Sequence, residues 1–279
     1  MIDSARKRAG KLLSASLLAV CVLFVVLPLA LMLLNSFRPM KDLTRNGPLS
    51  LPSQWTLDNY IKAWMEGDFV VYYKSSVIIT VATVCLTLAV VLIASYAIVY
   101  MDLPMKKGIM TLFLLGLIVP FEQIMLPLFA NLRSYGWINH YVSVIVPQVA
   151  LNIPLGVMLV TTFMKKVPGE IIEAARIDGA TELGVMWRVV TPMVKPILST
   201  LLVFSAMGSW NNFMLPNIML KSNSVRTVTV GLNAFKDSNT ADFPLTAAAT
   251  FIVAVPIILV YIIFQQKVQD GMTAGAIKG

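Results

Sequence analysis

EIIEAARIDGATELGVMWRVVTPMVKP, residues 170–196, is a short charged segment in a chain that is otherwise mostly oily. Apolar runs flank it, residues 141–164 before and 196–220 after, and each is long enough to cross a bilayer. Spanning the roughly 30 Å hydrocarbon layer takes about 20 helical residues. Further out lie four more runs of that kind: residues 12–37, 75–101, 108–132 (interrupted by one acid, Glu122) and 243–266. The expected fold is therefore all-α, with six transmembrane helices, both termini on one side of the membrane, and the 165–195 loop as a docking element. On this reading residues 1–11 form an N-terminal arm, 12–266 the spanning domain and 267–279 a tail.

Composition agrees. Of 279 residues, 57% are hydrophobic and only 13% charged, and the mean hydropathy is +0.78, too apolar for a soluble domain. The net charge of +8 does not point to nucleic acid, because the 22 Lys and Arg residues are scattered over short loops and form no stripe interleaved with aromatics. Cys21 and Cys85 each lie inside an apolar run, which argues against a structural disulfide and leaves them as small core hydrophobes. His140 has no second ligand nearby and reads as an interfacial residue. No phosphate-binding loop, HExxH or GxSxG pattern occurs in the sequence. No cofactor, metal or catalytic group is expected.

Orientation follows from the short loops, where Lys and Arg favour the cytoplasm. Arg6, Lys7, Arg8, Lys11, Lys106, Lys107, Lys165, Lys166, Arg176, Arg188 and Lys195 fall on one side, with Lys267 and Lys278. That side is expected to be cytoplasmic, placing the charged loop and both termini inside. The first outer loop mixes Pro39, Pro48 and Pro52 with Trp55, Tyr60 and Trp64. It suits either a short interfacial helix over residues 57–65 or an ordered loop.

Within the charged loop, Pro168 suits the first turn of a helix, on which Ile171, Ala174, Ala175 and Asp178 recur at helical spacing. Two alanines make that face thin enough for a partner to approach the backbone. Glu173 sits one position off it, within reach of Arg176 or of a partner's base. Gly179 is suited to ending the helix in a left-handed conformation. Leu183, Met186, Trp187 and Val190 then predict a second amphipathic helix, ended by Pro192 and Pro196. The whole reads as a compact elbow of helix, turn and helix.

Glu173, Ala174 and Ala175 are followed after three residues by Gly179, after nine more by Val189, and then by Pro192. This spacing resembles the EAA-x3-G-x9-I-x-L-P coupling loop of bacterial ABC importer permeases, with Val189 in place of Ile and Thr191 in place of Leu. GSWNNF at residues 208–213 and TAGAIKG at residues 273–279 resemble two further signatures of the sugar-importer branch. Together the motifs make the chain similar to the MalG-like permeases of carbohydrate ABC importers, with the type I importer permease fold. The resemblance implies a heterodimer with a second permease and two ATP-binding subunits that hold the ATP and Mg. It also implies an extracytoplasmic solute-binding protein and a place in the bacterial inner membrane. It further implies ATPase contacts at Glu173, Ala174, Ala175, Asp178 and Gly179, with a second contact in the tail around Gly275.

Polar groups inside the spans are functional candidates because burying them in lipid is costly. Glu122, Asn152, Asn211 and Asn212 are candidates for the translocation path. Glu122 also suits contact with outer headgroups, and the amides also suit helix-to-helix hydrogen bonds. The expected function is half of an ATP-driven pathway for a sugar or sugar-like solute. The alternative class, an ion-gradient-driven secondary transporter, would be expected to show paired intramembrane acids or broken helices in matching repeats. An intramembrane enzyme would need a nucleophile or metal constellation that the sequence does not display.

Overall fold

The computed structural model describes the backbone of residues 2–276 and the side chains of residues 14–266. The N-terminal bases, Lys267, Lys278 and the tail glycine Gly275 thus fall outside the described side chains. The chain forms two compact units, residues 1–69 with 232–254, and 70–231 with 255–279.

The first unit begins with α1 (Ile2–Ser36), whose apolar stretch is exposed to the chain's surroundings all round. Beyond it the predicted outer loop is folded. It contains α2 (Met40–Asn46) and α3 (Asp58–Glu66), and α3 supplies the helix of the two options expected at residues 57–65. Leu57, Ile61, Trp64 and Met65 stay exposed along one side, while Ala63 is buried. The cap is assembled around a buried cation that sequence reasoning did not single out. Arg38 donates to the carbonyls of Gly47 (2.7 Å) and Ser50 (2.9 Å) and lies 3.4 Å from the Asp42 carboxylate. The Ser53 hydroxyl hydrogen-bonds Asp42 and is the main cause holding that carboxyl below its ordinary pKa.

The second unit carries the spans around the elbow. α4 (Phe69–Tyr100) is a single long helix. The expected third span is not straight: α5 (Lys106–Ile118) and α6 (Phe121–Ser134) meet at a 99° bend. Val119 precedes Pro120, and the proline ring disfavours helical ψ at the residue before it. Val119 accordingly has ψ 116° and the helix stops. Glu122 therefore sits in the first turn of α6 and not partway along one straight span.

α7 (Val142–Met164) matches its expected span and absorbs Pro147 and Pro154. α8 (Gly169–Ile177) is the first arm of the elbow. The second arm runs through α9 (Glu182–Gly184), a π-helical turn (Val185–Val190) and α10 (Thr191–Met193). An 81° bend at Val194 leads to α11 (Lys195–Trp210). The fifth apolar run is thus two helices, because Asn211–Phe213 break it before α12 (Met214–Met219). α13 (Val228–Ser238) was not anticipated, and α14 (Phe243–Ala276) outlasts its expected end at residue 266. Among the described residues four helices are long and apolar enough to cross a membrane, or up to six if each bent pair counts as one span.

α4, α7 and α11 share one core, in which Val91, Val157, Val160, Met164, Ile197 and Leu201 are buried. Gly156 permits their approach: a Cβ there would stand 2.7 Å from Val91 and 3.2 Å from Leu201. Small residues let membrane helices pack this closely. A second cluster joins α4, α6, α7 and α12 through Ile79, Leu132, Val144, Leu215 and Met219. Cys21 and Cys85 are exposed rather than core residues; in a membrane bundle the apolar surface also faces outward, so an apolar run does not by itself place a cysteine inside.

Candidate functional site

The elbow is built as a helix, a left-handed turn and a second helical arm. Gly179 has φ +82° and closes a Schellman cap: Ala180 N–H donates to the Ala175 carbonyl (3.0 Å) and Gly179 N–H to that of Arg176 (3.0 Å). Nothing lies within 4 Å of where a Gly179 Cβ would be, so this glycine is required by the turn and not by crowding. Thr181 then caps the second arm, accepting from Gly184 N–H at 3.2 Å.

Two faces of the elbow behave oppositely. Ile172 is 2% exposed and joins Val185, Met186 and Val190 in the core of α4, α7 and α11, with Ala175 packed beside them. The opposite side is open: Ile177 is 86% exposed, Leu183 67% and Trp187 54%, with Glu173, Ala174, Asp178 and Gly179 exposed among them.

This corrects both predicted faces. On α8 the outward residues are Ile171 and Ala174, whereas Ala175 turns inward with Ile172. In the second arm the π-helical turn shifts the register, so Val185, Met186 and Val190 point inward while Leu183 and Trp187 do not. Thr191 reinforces that turn by donating its hydroxyl to the Met186 carbonyl at 2.7 Å. Pro192 does not end the arm. It lies inside α10, where it has no N–H to give the preceding turn.

A polar clasp ties the two arms to the end of α4. Of the two partners expected for Glu173, Arg176 or a partner's base, Arg176 pairs instead with Glu182, through Nε–Oε1 at 2.9 Å and a second contact at 3.2 Å. The Nη2 that makes this second contact also donates to the Tyr100 carbonyl at 3.2 Å. Tyr96 donates its hydroxyl to Glu182 at 2.5 Å, and Tyr100 donates its own to the Met164 carbonyl at 2.8 Å. The Arg176 hydrogen bond first, and the Tyr96 hydroxyl second, hold the Glu182 carboxyl below its ordinary value. Glu182 is the partner that sequence spacing missed, because it lies across the turn and not on the same helix.

The candidate path groups are dispersed. Glu122 is exposed at the start of α6 and Asn152 is half-buried on α7. Asn211 ends α11, while Asn212 accepts from Leu215 N–H (3.2 Å) at the break and its carbonyl receives the Thr229 hydroxyl (2.8 Å). The GSWNNF signature therefore marks a chain break, anchored by the buried Trp210 edge-on to Tyr73 with centroids 5.6 Å apart. A buried amide inside a candidate span that was not a sequence candidate is Gln148 on α7. Its Oε1 accepts from Ser209 (2.7 Å) and Thr83 (3.1 Å), linking α4, α7 and α11.

A multi-span helical protein with broken spans and an elbow seated on its helix ends has the architecture of an importer permease. The chain belongs to the family described as binding-protein-dependent transport system inner membrane component, which matches residues 90–273. It is 34% identical over 257 residues to the arabinooligosaccharides transport system permease protein AraQ of Halalkalibacterium halodurans, covering 91% of each chain. It is 28% identical over 268 residues to the diacetylchitobiose uptake system permease protein NgcG of Streptomyces coelicolor, covering 95% of this chain and 88% of that one. Its fold matches a chain from the crystal structure of a bacterial ABC transporter involved in the import of the acidic polysaccharide alginate. The TM-score is 0.82, with 20% identity and coverage of 94% and 97%.

The protein is accordingly a multi-pass inner-membrane permease subunit of an ABC importer of the carbohydrate-transport type, a transport component and not an enzyme. That sets aside the secondary-transporter alternative.

Proposed function

We propose that this permease forms half of a pathway for a sugar or oligosaccharide and is driven through its elbow by an ATP-binding subunit. The observation that carries the reading is the two-sidedness of the elbow. Its inner face is fixed in the bundle core by Ile172, Val185, Met186 and Val190, while its outer face presents Ala174, Ile177, Leu183 and Trp187. Such an element transmits a push to α4, α7 and α11 as one piece. Glu173, Ala174, Asp178 and Gly179 are assigned to contact with the ATPase, with Ala175 supporting them from the inner side and the tail around Gly275 as a second contact.

In this assembly a second permease supplies the other half, two ATP-binding subunits hold ATP and Mg, and an extracytoplasmic solute-binding protein delivers the solute. The fully exposed apolar stretch of α1 suits a partner permease or lipid. A cytoplasmic elbow and cytoplasmic termini are supported by the distribution of Lys and Arg. Glu122, Asn152, Asn211 and Asn212 are assigned to the pathway. ATP-driven closure of the ATPases would draw the elbow inward and turn the cavity outward, and hydrolysis would reset it. The carbohydrate class rests on the names of the relatives, which include arabinooligosaccharide and diacetylchitobiose systems.

The test is Leu183→Asp combined with Ile177→Asp, which places charge on the outer face without touching the core. The ATPase subunits are expected to fail to co-purify and uptake to cease while the permease still inserts. Retained association and uptake would refute the assignment.

A further inference from the structure

We propose that the chain also carries a binding site for the headgroup of an anionic phospholipid, in a groove beside the elbow at the ends of α4, α5 and α7. The groove has a volume of about 670 Å³, within the roughly 300–1,000 Å³ typical of ligand clefts. Lys106 and Lys107 from α5 and Lys165 from the end of α7 line it, and no carboxylate does. Among the described residues none of the three forms an ion pair. Three like charges facing one cleft repel one another, and a phosphate seated between them relieves that repulsion.

The position selects a lipid. Tyr100 ends α4, Lys106 starts α5 and Met164 ends α7, so the groove opens at the boundary between bilayer and water, where headgroups lie. Its other wall is apolar, made by Val99 and Met110. Beyond it Leu112 and Leu115 continue exposed along α5, a surface for acyl chains that a free phosphate would leave uncovered. Basic pockets between membrane helices recognise anionic headgroups in this way. The same helix ends hold the elbow, since Tyr100 bonds both Arg176 and Met164. A bound headgroup therefore braces the base on which the elbow rests.

The test uses the full chain in detergent, titrated with phosphatidylglycerol or phosphatidylcholine and read by native mass spectrometry. Wild type is expected to retain phosphatidylglycerol selectively, and millimolar inorganic phosphate is expected not to displace it. At about fivefold per basic residue, the Lys106→Gln, Lys107→Gln, Lys165→Gln triple variant loses on the order of 100-fold in retention. The corresponding triple Arg variant keeps it, as does Lys221→Gln with Lys236→Gln. A photoreactive phosphatidylglycerol on the wild-type protein supplies a readout independent of any variant, with labelling expected at residues 98–111 and 165. Labelling spread over the surface, displacement by phosphate, or equal loss in the control variant would overturn the site. Because retention is read on the purified permease, its failure is distinct from any failure of ATPase coupling.

Discussion

Replacing Ile172 by Ala is expected to detach the first arm of the elbow from the bundle, and to do so more strongly than breaking the ion pair beside it. Ile172 is 2% exposed and sits in one core with Val185, Met186 and Val190. Truncating a buried Ile to Ala removes its burial and leaves a cavity, at a cost of about 2–5 kcal/mol. The Arg176–Glu182 pair looks better on paper, being bidentate, but its side chains are 38% and 46% exposed. Pairs so exposed contribute about 0.2–1 kcal/mol. Amide hydrogen exchange of α8 in lipid nanodiscs reads the difference. Ile172→Ala should lower α8 protection by roughly 30- to 5,000-fold, whereas Arg176→Gln should lower it about fivefold at most. Equal effects, or a larger effect of Arg176→Gln, would refute the claim that packing and not charge holds the elbow.

Gly179→Ala should cost about 1–2 kcal/mol from the left-handed backbone alone, since no atom crowds the new Cβ. Gly179→Asn should cost less, and thermal midpoints of the two variants check this order. Glu182 carries a lowered pKa, so its stabilisation is present above the ordinary carboxylate pKa of about 4.3 and lost as the pH falls through the folded value. The thermal midpoint of wild type should therefore exceed that of Glu182→Gln from pH 8 to 5, and the gap should narrow progressively as the pH falls below the ordinary carboxylate value. Gln148→Leu removes two interhelical hydrogen bonds; at about 0.6 kcal/mol each, unfolding by denaturing detergent should show a loss on the order of 1 kcal/mol.

The spans and the elbow were legible because their signals are local. Apolar length marks a crossing, and Gly is the residue type best suited to the φ +82° that Gly179 adopts. The bend at Val119 was signalled by the restriction that Pro120 places on its neighbour, but the apolar length of residues 108–132 was read as one straight span. The inner face of the second arm was not legible, because a regular helical spacing cannot foresee a π-helical turn at Val185–Val190. Gln148 was hidden for another reason. Its value lies in Thr83 and Ser209, 65 and 61 residues away, and no spacing within one helix reports such partners. Arg38 carries no local signal either, because its burial depends on how residues 47–53 wrap around it.

The central claim is that the outer face of the elbow meets the ATPase on the cytoplasmic side. Site-directed crosslinking tests it in a background with Cys21 and Cys85 replaced by Ser. Ala174→Cys, on the exposed face of α8, should crosslink to the ATP-binding subunit in assembled membranes, and Leu49→Cys, exposed between α2 and α3, should not. A crosslink from Leu49→Cys, or none from Ala174→Cys in a complex that still hydrolyses ATP and transports, would contradict it.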